Sequence, residues 1–197
     1  SEPTRGICEV DEKKISIRKG GSSHTIPYED IQDITIGSPP NRFSDEFDMV
    51  FGLKFKNKGR EGSCLIKHDE KREDVFRYEI FAKVINGARG ILKWGVKQGG
   101  QKKKVQSRQI QTAVKPEGVV FKHKNNSLKE ISLGDIVDIH TEVQTVKDKK
   151  RKAIKIDHVE NKTVLTSYVY LIDKRISHVL NRYLRKEYSN LQKEISN

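Results

Sequence analysis

Histidines, cysteines and carboxylates are the side chains that could do chemistry near neutral pH, and their spacing decides whether they do. The six histidines, His24, His68, His123, His140, His158 and His178, are scattered, with no two at metal-ligand spacing beside a cysteine. Cys8 and Cys64 are far apart and lack the CxxC spacing of a zinc or redox site, which fits a reducing cytoplasm. His68-Asp69-Glu70 joins an imidazole to two carboxylates, but it falls where a helix cap is expected. Asp30/Asp33 and Asp135/Asp138 resemble the paired carboxylates of acid-base catalysis. Their duplication points instead to a shared turn, in which Asp side chains hold backbone amides. GxxxxGK[ST], GxSxG, HExxH and GxGxxG are all absent, so phosphate cradles and the common hydrolases have no support. The residues therefore predict a non-enzymatic protein with no catalytic residue, cofactor or metal.

The elements that carry these residues are organised by a repeat. Ile26-Pro27-Tyr28-Glu29-Asp30-Ile31-Gln32-Asp33-Ile34 returns as Ile131-Ser132-Leu133-Gly134-Asp135-Ile136-Val137-Asp138-Ile139. The common skeleton is apolar, any, apolar, any, Asp, Ile, any, Asp, Ile, which a strand running into a turn and a second strand would produce. Upstream, Ile15 and Ile17 alternate before a Gly/Ser turn, as Val119 and Phe121 alternate before Asn125-Asn126. Downstream, Leu53-Lys54-Phe55 answers Ile154-Lys155-Ile156, and each copy ends in an amphipathic helix. One fold used twice is the implication.

In chain order, Ile7 to Val10 reads as a weak strand, Lys14 to Arg18 and Thr25-Ile26 as a hairpin, and Pro27 as an edge or bulge position because it cannot donate to a ladder. Residues 37–45 read as a loop. Strands follow at Met49 to Phe55 and Gly62 to Ile66. Asp69 opens a helix whose stripe is Phe76, Ile80, Phe81, Val84 and Ile85, and Gly87 stops it. Gly90 to Gln109, with Gly99-Gly100 and Lys102-Lys103-Lys104, reads as a connecting segment, flexible over half its length. Strands are expected at Val119 to Lys122, Leu128 to Leu133, Ile136 to Val146, Ala153 to Ile156 and Val164 to Ile172. Asp173 then caps a long helix carrying Ile176, Leu180, Tyr183, Leu184, Tyr188, Leu191 and Ile195. At about 1.5 Å per residue, some 22 residues give a rod of about 33 Å, more than a small sheet needs as cover. Its far end is expected to protrude or to meet a second copy of the chain. The domain limits read from this pattern are 1–98 for the first unit with the linker's start, 99–110 for the linker, and 111–197 for the second.

At 197 residues, 34% charged and 34% hydrophobic, the chain can bury two modest cores. No apolar run is long enough to span a bilayer, and Ser1-Glu2-Pro3-Thr4-Arg5 does not open a signal peptide. A net charge of +12 favours an anionic neighbour or high solubility, and says nothing of fold. The sharpest basic cluster is a loop, Lys147, Lys149, Lys150, Arg151 and Lys152 around Asp148. It could serve phosphoinositide or membrane-surface binding, or phosphate-only contact with nucleic acid. No aromatics are interleaved with it to stack bases, which disfavours nucleic acid. Trp94 could fill a groove between the two units or anchor a partner, although lone aromatics are usually core.

Strands closed by one helix, twice over, predict an α+β fold of two tandem pleckstrin-homology-like domains. Each is an antiparallel sheet or open barrel closed by a C-terminal helix, the second helix being long. Gly90 to Lys97, Ile131 to Ile139, Lys150 to Ile156, Thr166 to Leu171 and Asn181 to Tyr188 together resemble the archaeal taxis protein CheF family. The resemblance implies an elongated homodimeric adaptor, in the cytoplasm at the archaellum motor, that couples the phosphorylated response regulator CheY to the motor switch proteins. Family members continue past the position of Asn197 into a small helical tail, with which CheY docking is chiefly connected, so the sequence reads as C-terminally truncated. On this reading the assembly surfaces are the 147–152 cluster, Trp94, and the far end of the last helix at Tyr188, Leu191 and Ile195. The alternative is an anion-binding pleckstrin-homology-like module that uses the basic loop.

Overall fold

The computed structural model describes residues 6–37, 50–66, 73–97, 105–146 and 149–195. The chain divides into two compact units, Ser1–Val84 and Ile85–Asn197. Most described residues lie in antiparallel strands, with two α-helices, giving an α+β protein.

The first unit holds two three-stranded sheets. Strands β1 (Ile7–Val10), β2 (Lys14–Lys19) and β3 (Ser22–Pro27) form one, in that order. Gly20 and Gly21 take φ of +50° and +83°, the conformation a tight hairpin requires and glycine accepts without strain. Pro27 ends the edge strand β3, where a missing N–H does least harm. Strands β4 (Ile31–Gly37), β5 (Val50–Asn57) and β6 (Arg60–Ile66) form the other sheet, and helix α1 (Glu73–Ile85) ends the unit. Ile15, Ile26, Ile31, Ile34, Leu53, Ile80 and Phe81 are at most 1% exposed, and Phe81 meets Phe51 edge-on at 6.1 Å. The loop expected over 37–45 lies outside the described residues beyond Gly37, as does the cap expected at Asp69.

The second unit is one seven-stranded sheet. Its strands are β7 (Ala88–Lys97), β8 (Gln106–Lys115), β9 (Gly118–His123), β10 (Leu128–Ser132), β11 (Ile136–Val146), β12 (Lys149–Glu160) and β13 (Thr163–Leu171). They are ordered β10-β9-β8-β7-β13-β12-β11, so β7 joins the meander β8–β10 to the meander β11–β13. The connecting segment expected over Gly90 to Gln109 is thus corrected: most of it is the two central strands β7 and β8. The unit boundary accordingly falls before β7, ahead of the 99–110 linker. Polar Gln106, Ser107, Arg108 and Gln109 hid β8, because its first half is exposed and only Ile110, Thr112 and Val114 carry the buried alternation.

Helix α2 (Lys174–Ile195) closes this unit. Asp173 caps it as expected, its Oδ1 accepting from the N–H groups of Arg175 (2.8 Å) and Ile176 (3.3 Å). Val179, Leu180, Tyr183 and Leu184 are at most 1% exposed, and burial of each contributes on the order of 2 kcal/mol. The Tyr183 hydroxyl donates to the Lys115 carbonyl at 2.5 Å.

The repeated phrase has the same local structure in both units. Tyr28–Asp30 and Leu133–Asp135 are single 3-10 turns, and the residue after each turn donates its N–H back to the turn's first carbonyl. Tyr28 N–H donates to the Lys13 carbonyl at 3.2 Å, as Leu133 N–H donates to that of Glu117 at 2.8 Å. Register then slips between Ile31 and Asp33 against β5, and between Ile136 and Asp138 against β12. The slip is a β-bulge that lets Ile31 and Ile34, or Ile136 and Ile139, both face the core although three positions apart. The element order β2-β3-turn-β4-β5-β6-α1 is matched by β9-β10-turn-β11-β12-β13-α2.

Gly90 tests the closure through β7. A Cβ placed there would lie 2.3 Å from the Tyr170 carbonyl oxygen. Gly90→Ala is expected to lower unfolding free energy by about 1–3 kcal/mol in a urea titration, the usual cost of overpacking. Unchanged stability would mean that β7 and β13 are not held this closely.

Candidate functional site

The basic cluster is part of a hairpin ribbon. Lys149, Lys150, Arg151 and Lys152 are strand residues of β12, paired with Val146, Thr145, Gln144 and Val143 of β11. This corrects the loop reading, whose cause is plain: six successive polar residues give no apolar period to mark a strand. Lys147 lies outside the described residues. β13 joins β12 only from Ile154 onward, so residues 149–152 have a neighbour on one side alone. Successive strand side chains alternate between faces, yet all four are exposed, so both faces of the ribbon are open at this end. Val143, 62% exposed, adds an apolar patch. At the ribbon's base Gln144 accepts from the Tyr170 hydroxyl at 2.7 Å, while Ala153 is buried with Tyr168 and Tyr170. A projecting basic ribbon on a sheet edge resists edge-to-edge pairing and offers a cationic surface to an acidic partner.

Trp94 sits elsewhere in the second unit. Its indole stacks on the His123 imidazole, with centroids 5.3 Å apart and planes 22° apart, and the Arg108 guanidinium lies 6.0 Å from the ring. The three residues come from β7, β8 and β9, at the end of the sheet where β7 finishes, β8 begins and β9 finishes. Gly95, with φ +87°, is the extra residue in the register slip opposite Thr166 and Ser167. Trp94 is therefore a half-buried residue within one sheet. Beside it Arg108, Gln109, His123, Lys124 and Asn125 line a cavity of about 340 Å³. Sequence reading missed this group, because residues scattered over three strands converge only once β7 and β8 are known to be strands. Tyr188, Leu191 and Ile195 belong to the expected helix α2, with side chains outside those described.

The family described as archaeal chemotaxis signal transduction system protein F matches residues 7–190. This chain belongs to that family. It is also 18% identical over 195 residues to a protein named Taxis protein CheF2 from Halobacterium salinarum (strain ATCC 29341 / DSM 671 / R1), the match covering 99% of this chain and 67% of that protein. The CheF resemblance is thereby shown, and with it a place in archaeal chemotaxis signal transduction. No described helix is long and apolar enough to cross a membrane.

The other polar groups of this CheF family member are distributed as structural supports. Thr166 Oγ1 donates to Asp157 Oδ1 at 2.5 Å, and Lys155 Nζ lies 3.3 Å from Asp157 Oδ2. His158 Nε2 is 2.9 Å from Ser167 Oγ. Of the repeated carboxylates, Asp33 accepts from the Ile34 N–H at 2.9 Å, the amide-holding role expected, and Asp138 lies 3.0 Å from His140 Nδ1. Among the described residues no group of three or more His, Cys, Asp or Glu could hold a metal. Cys8 and Cys64 are free thiols, and burial pushes Cys64 up to about 11. The trio His68-Asp69-Glu70 lies outside the described residues.

Two histidines give the second unit a pH dependence. Burial lowers the pKa of His123, with Arg108 adding, and burial lowers that of His158, with Lys129 adding. A depressed histidine binds protons more readily unfolded than folded, so stability is full above the ordinary range near 6.5 and falls as pH drops below it. Unfolding midpoints in urea should be lower at pH 5.5 than at pH 7.5, and His158→Gln should narrow the gap. Equal midpoints would show that neither imidazole is held neutral.

Proposed function

We propose that the chain is a non-enzymatic adaptor of archaeal chemotaxis, acting as a homodimer in the cytoplasm at the archaellum motor and coupling phosphorylated CheY to the motor switch proteins. Family membership across residues 7–190 carries this reading. The duplicated strand-turn-strand arrangement supports the finer assignment of two tandem pleckstrin-homology-like domains, each closed by its helix. CheY is read as docking chiefly on the small helical tail that family members carry past the position of Asn197. The motor-side contact is assigned to the β11–β12 ribbon, because it presents Lys149, Lys150, Arg151 and Lys152 with both faces open. The switch partner's complementary surface is then acidic. Tyr188, Leu191 and Ile195 on α2 are assigned to the dimer contact.

The ribbon's exposed charge also favours a second reading, an anion-binding module for membrane surfaces or nucleic acid. One charge-reversed variant separates the two. Lys149→Glu, Lys150→Glu and Arg151→Glu together should leave the urea midpoint within about 0.5 kcal/mol of wild type, as surface changes do. The variant should retain at most about one tenth of the binding to motor switch proteins in pull-downs, while anionic liposomes and duplex DNA show no salt-sensitive binding to either form. Undiminished switch binding would remove the ribbon from the motor contact. Low-salt liposome or DNA binding lost in the variant would favour the anion-binding module. Light scattering of this chain beside one that carries that tail, with and without phosphorylated CheY, tests the dimer and the coupling, and a tail-bearing monomer indifferent to CheY would sink both.

A further inference from the structure

We propose that the cavity beside Trp94 is a binding site for a small phosphate monoester, held by Arg108 and Lys124. The site is independent of the basic ribbon and of the adaptor reading. Arg108 and Lys124 are two exposed cations on one cavity. Among the described residues no carboxylate lies within ion-pair distance of either. Two like charges on one concave surface repel each other and focus a positive potential, which an anion relieves.

The neutral groups around them are donors to match. Asn125 Oδ1 already accepts from the Ser127 N–H at 3.2 Å and the Ser127 hydroxyl at 2.6 Å, so its amide nitrogen is the part left to donate. Gln109 adds a second amide. His123, 5% exposed, also lines the site, its ring stacked on Trp94 where the Arg108 guanidinium approaches. The guanidinium fork suits two phosphate oxygens at once, and the ammonium of Lys124 suits a third. A volume of about 340 Å³ accommodates a phosphate with a sugar-sized substituent and is at the small end for ligand sites. That chemistry is shared by soluble sugar phosphates and by the headgroup of a phosphatidic acid.

Trp94 is the only tryptophan in this sequence and stacks on His123 of the cavity lining, so its emission reports on the site. The chain is titrated with inorganic phosphate and ribose 5-phosphate at pH 7.5, with sodium chloride at matched ionic strength as control. Sedimentation with phosphatidylcholine vesicles, with and without 20 mol% phosphatidic acid, asks for the lipid source. Saturable emission changes with the phosphates and not with chloride are expected, and Arg108→Gln or Lys124→Gln should each raise the apparent Kd about tenfold. Both substituted side chains are exposed, so the unfolding midpoint should not move. Lys150→Gln in the ribbon should titrate as wild type. Binding to soluble phosphates without vesicle capture assigns a soluble ligand, and capture that requires phosphatidic acid assigns the headgroup. The proposal is overturned if emission is unchanged at 20 mM phosphate, if chloride acts equally, or if the Arg108 and Lys124 variants titrate like wild type.

Discussion

Strand β7 is the constraint on which the second unit depends. It pairs with β8 on one side and β13 on the other, so two meanders that would each leave a raw edge become one sheet. Two glycines make that possible. Gly90 removes the side chain where the Tyr170 carbonyl approaches, and Gly95 supplies the positive φ of the bulge that shifts register before β7 ends. Because of that bulge Trp94 pairs with Ser167 while Val96 pairs with Thr166, and the indole is left stacked on His123. The same few residues therefore set both the closure of the sheet and the shape of the cavity at its end.

The two units share a local solution to one packing problem. A strand must turn sharply and re-enter the core with apolar residues three apart, which the period of two forbids. A single 3-10 turn followed by a bulge solves it, and the sequence skeleton of Asp, Ile, any, Asp, Ile encodes that solution in both copies. The unconstrained position within the bulge is Gln32 in one copy and Val137 in the other, and both are exposed. This is why the phrase survives although the strands around it differ in length.

Legibility in the sequence follows from the same physics. The repeat, both helices, the Asp173 cap and strands β9 to β13 could be read because apolar alternation, helical stripes and turn residues are local signals. β7 and β8 could not be read so. Gly90 and Gly95 look like breakers, and their reason lies across the sheet in Tyr170, Thr166 and Ser167. The ribbon was legible as charge and not as strand, since Lys149 to Lys152 owe their extended form to pairing with β11 and not to any buried face. The cavity was not legible at all, because Trp94, Arg108 and His123 are neighbours only through a three-strand register.

Net charge alone would have merged features that the structure separates. The excess of 39 Lys and Arg over 27 Asp and Glu could be a uniformly solvated surface. It is unevenly placed. In the second unit Lys115 of β8 is matched by Glu130 of β10, Lys129 of β10 by Glu160 of β12, and Lys155 by Asp157 two positions along β12. The ribbon tip and the cavity at the end of β7 to β9 carry cations without such partners among the described residues, and they do so in different geometries. An open ribbon with both faces wet cannot exclude water from a small ligand, so its charge suits a broad acidic protein surface. The pocket beside Trp94 instead gathers a guanidinium, an ammonium and two side-chain amides around one small volume, which suits a compact anion. Shape, more than charge, thus divides a surface for a macromolecular partner from a site for a small anion.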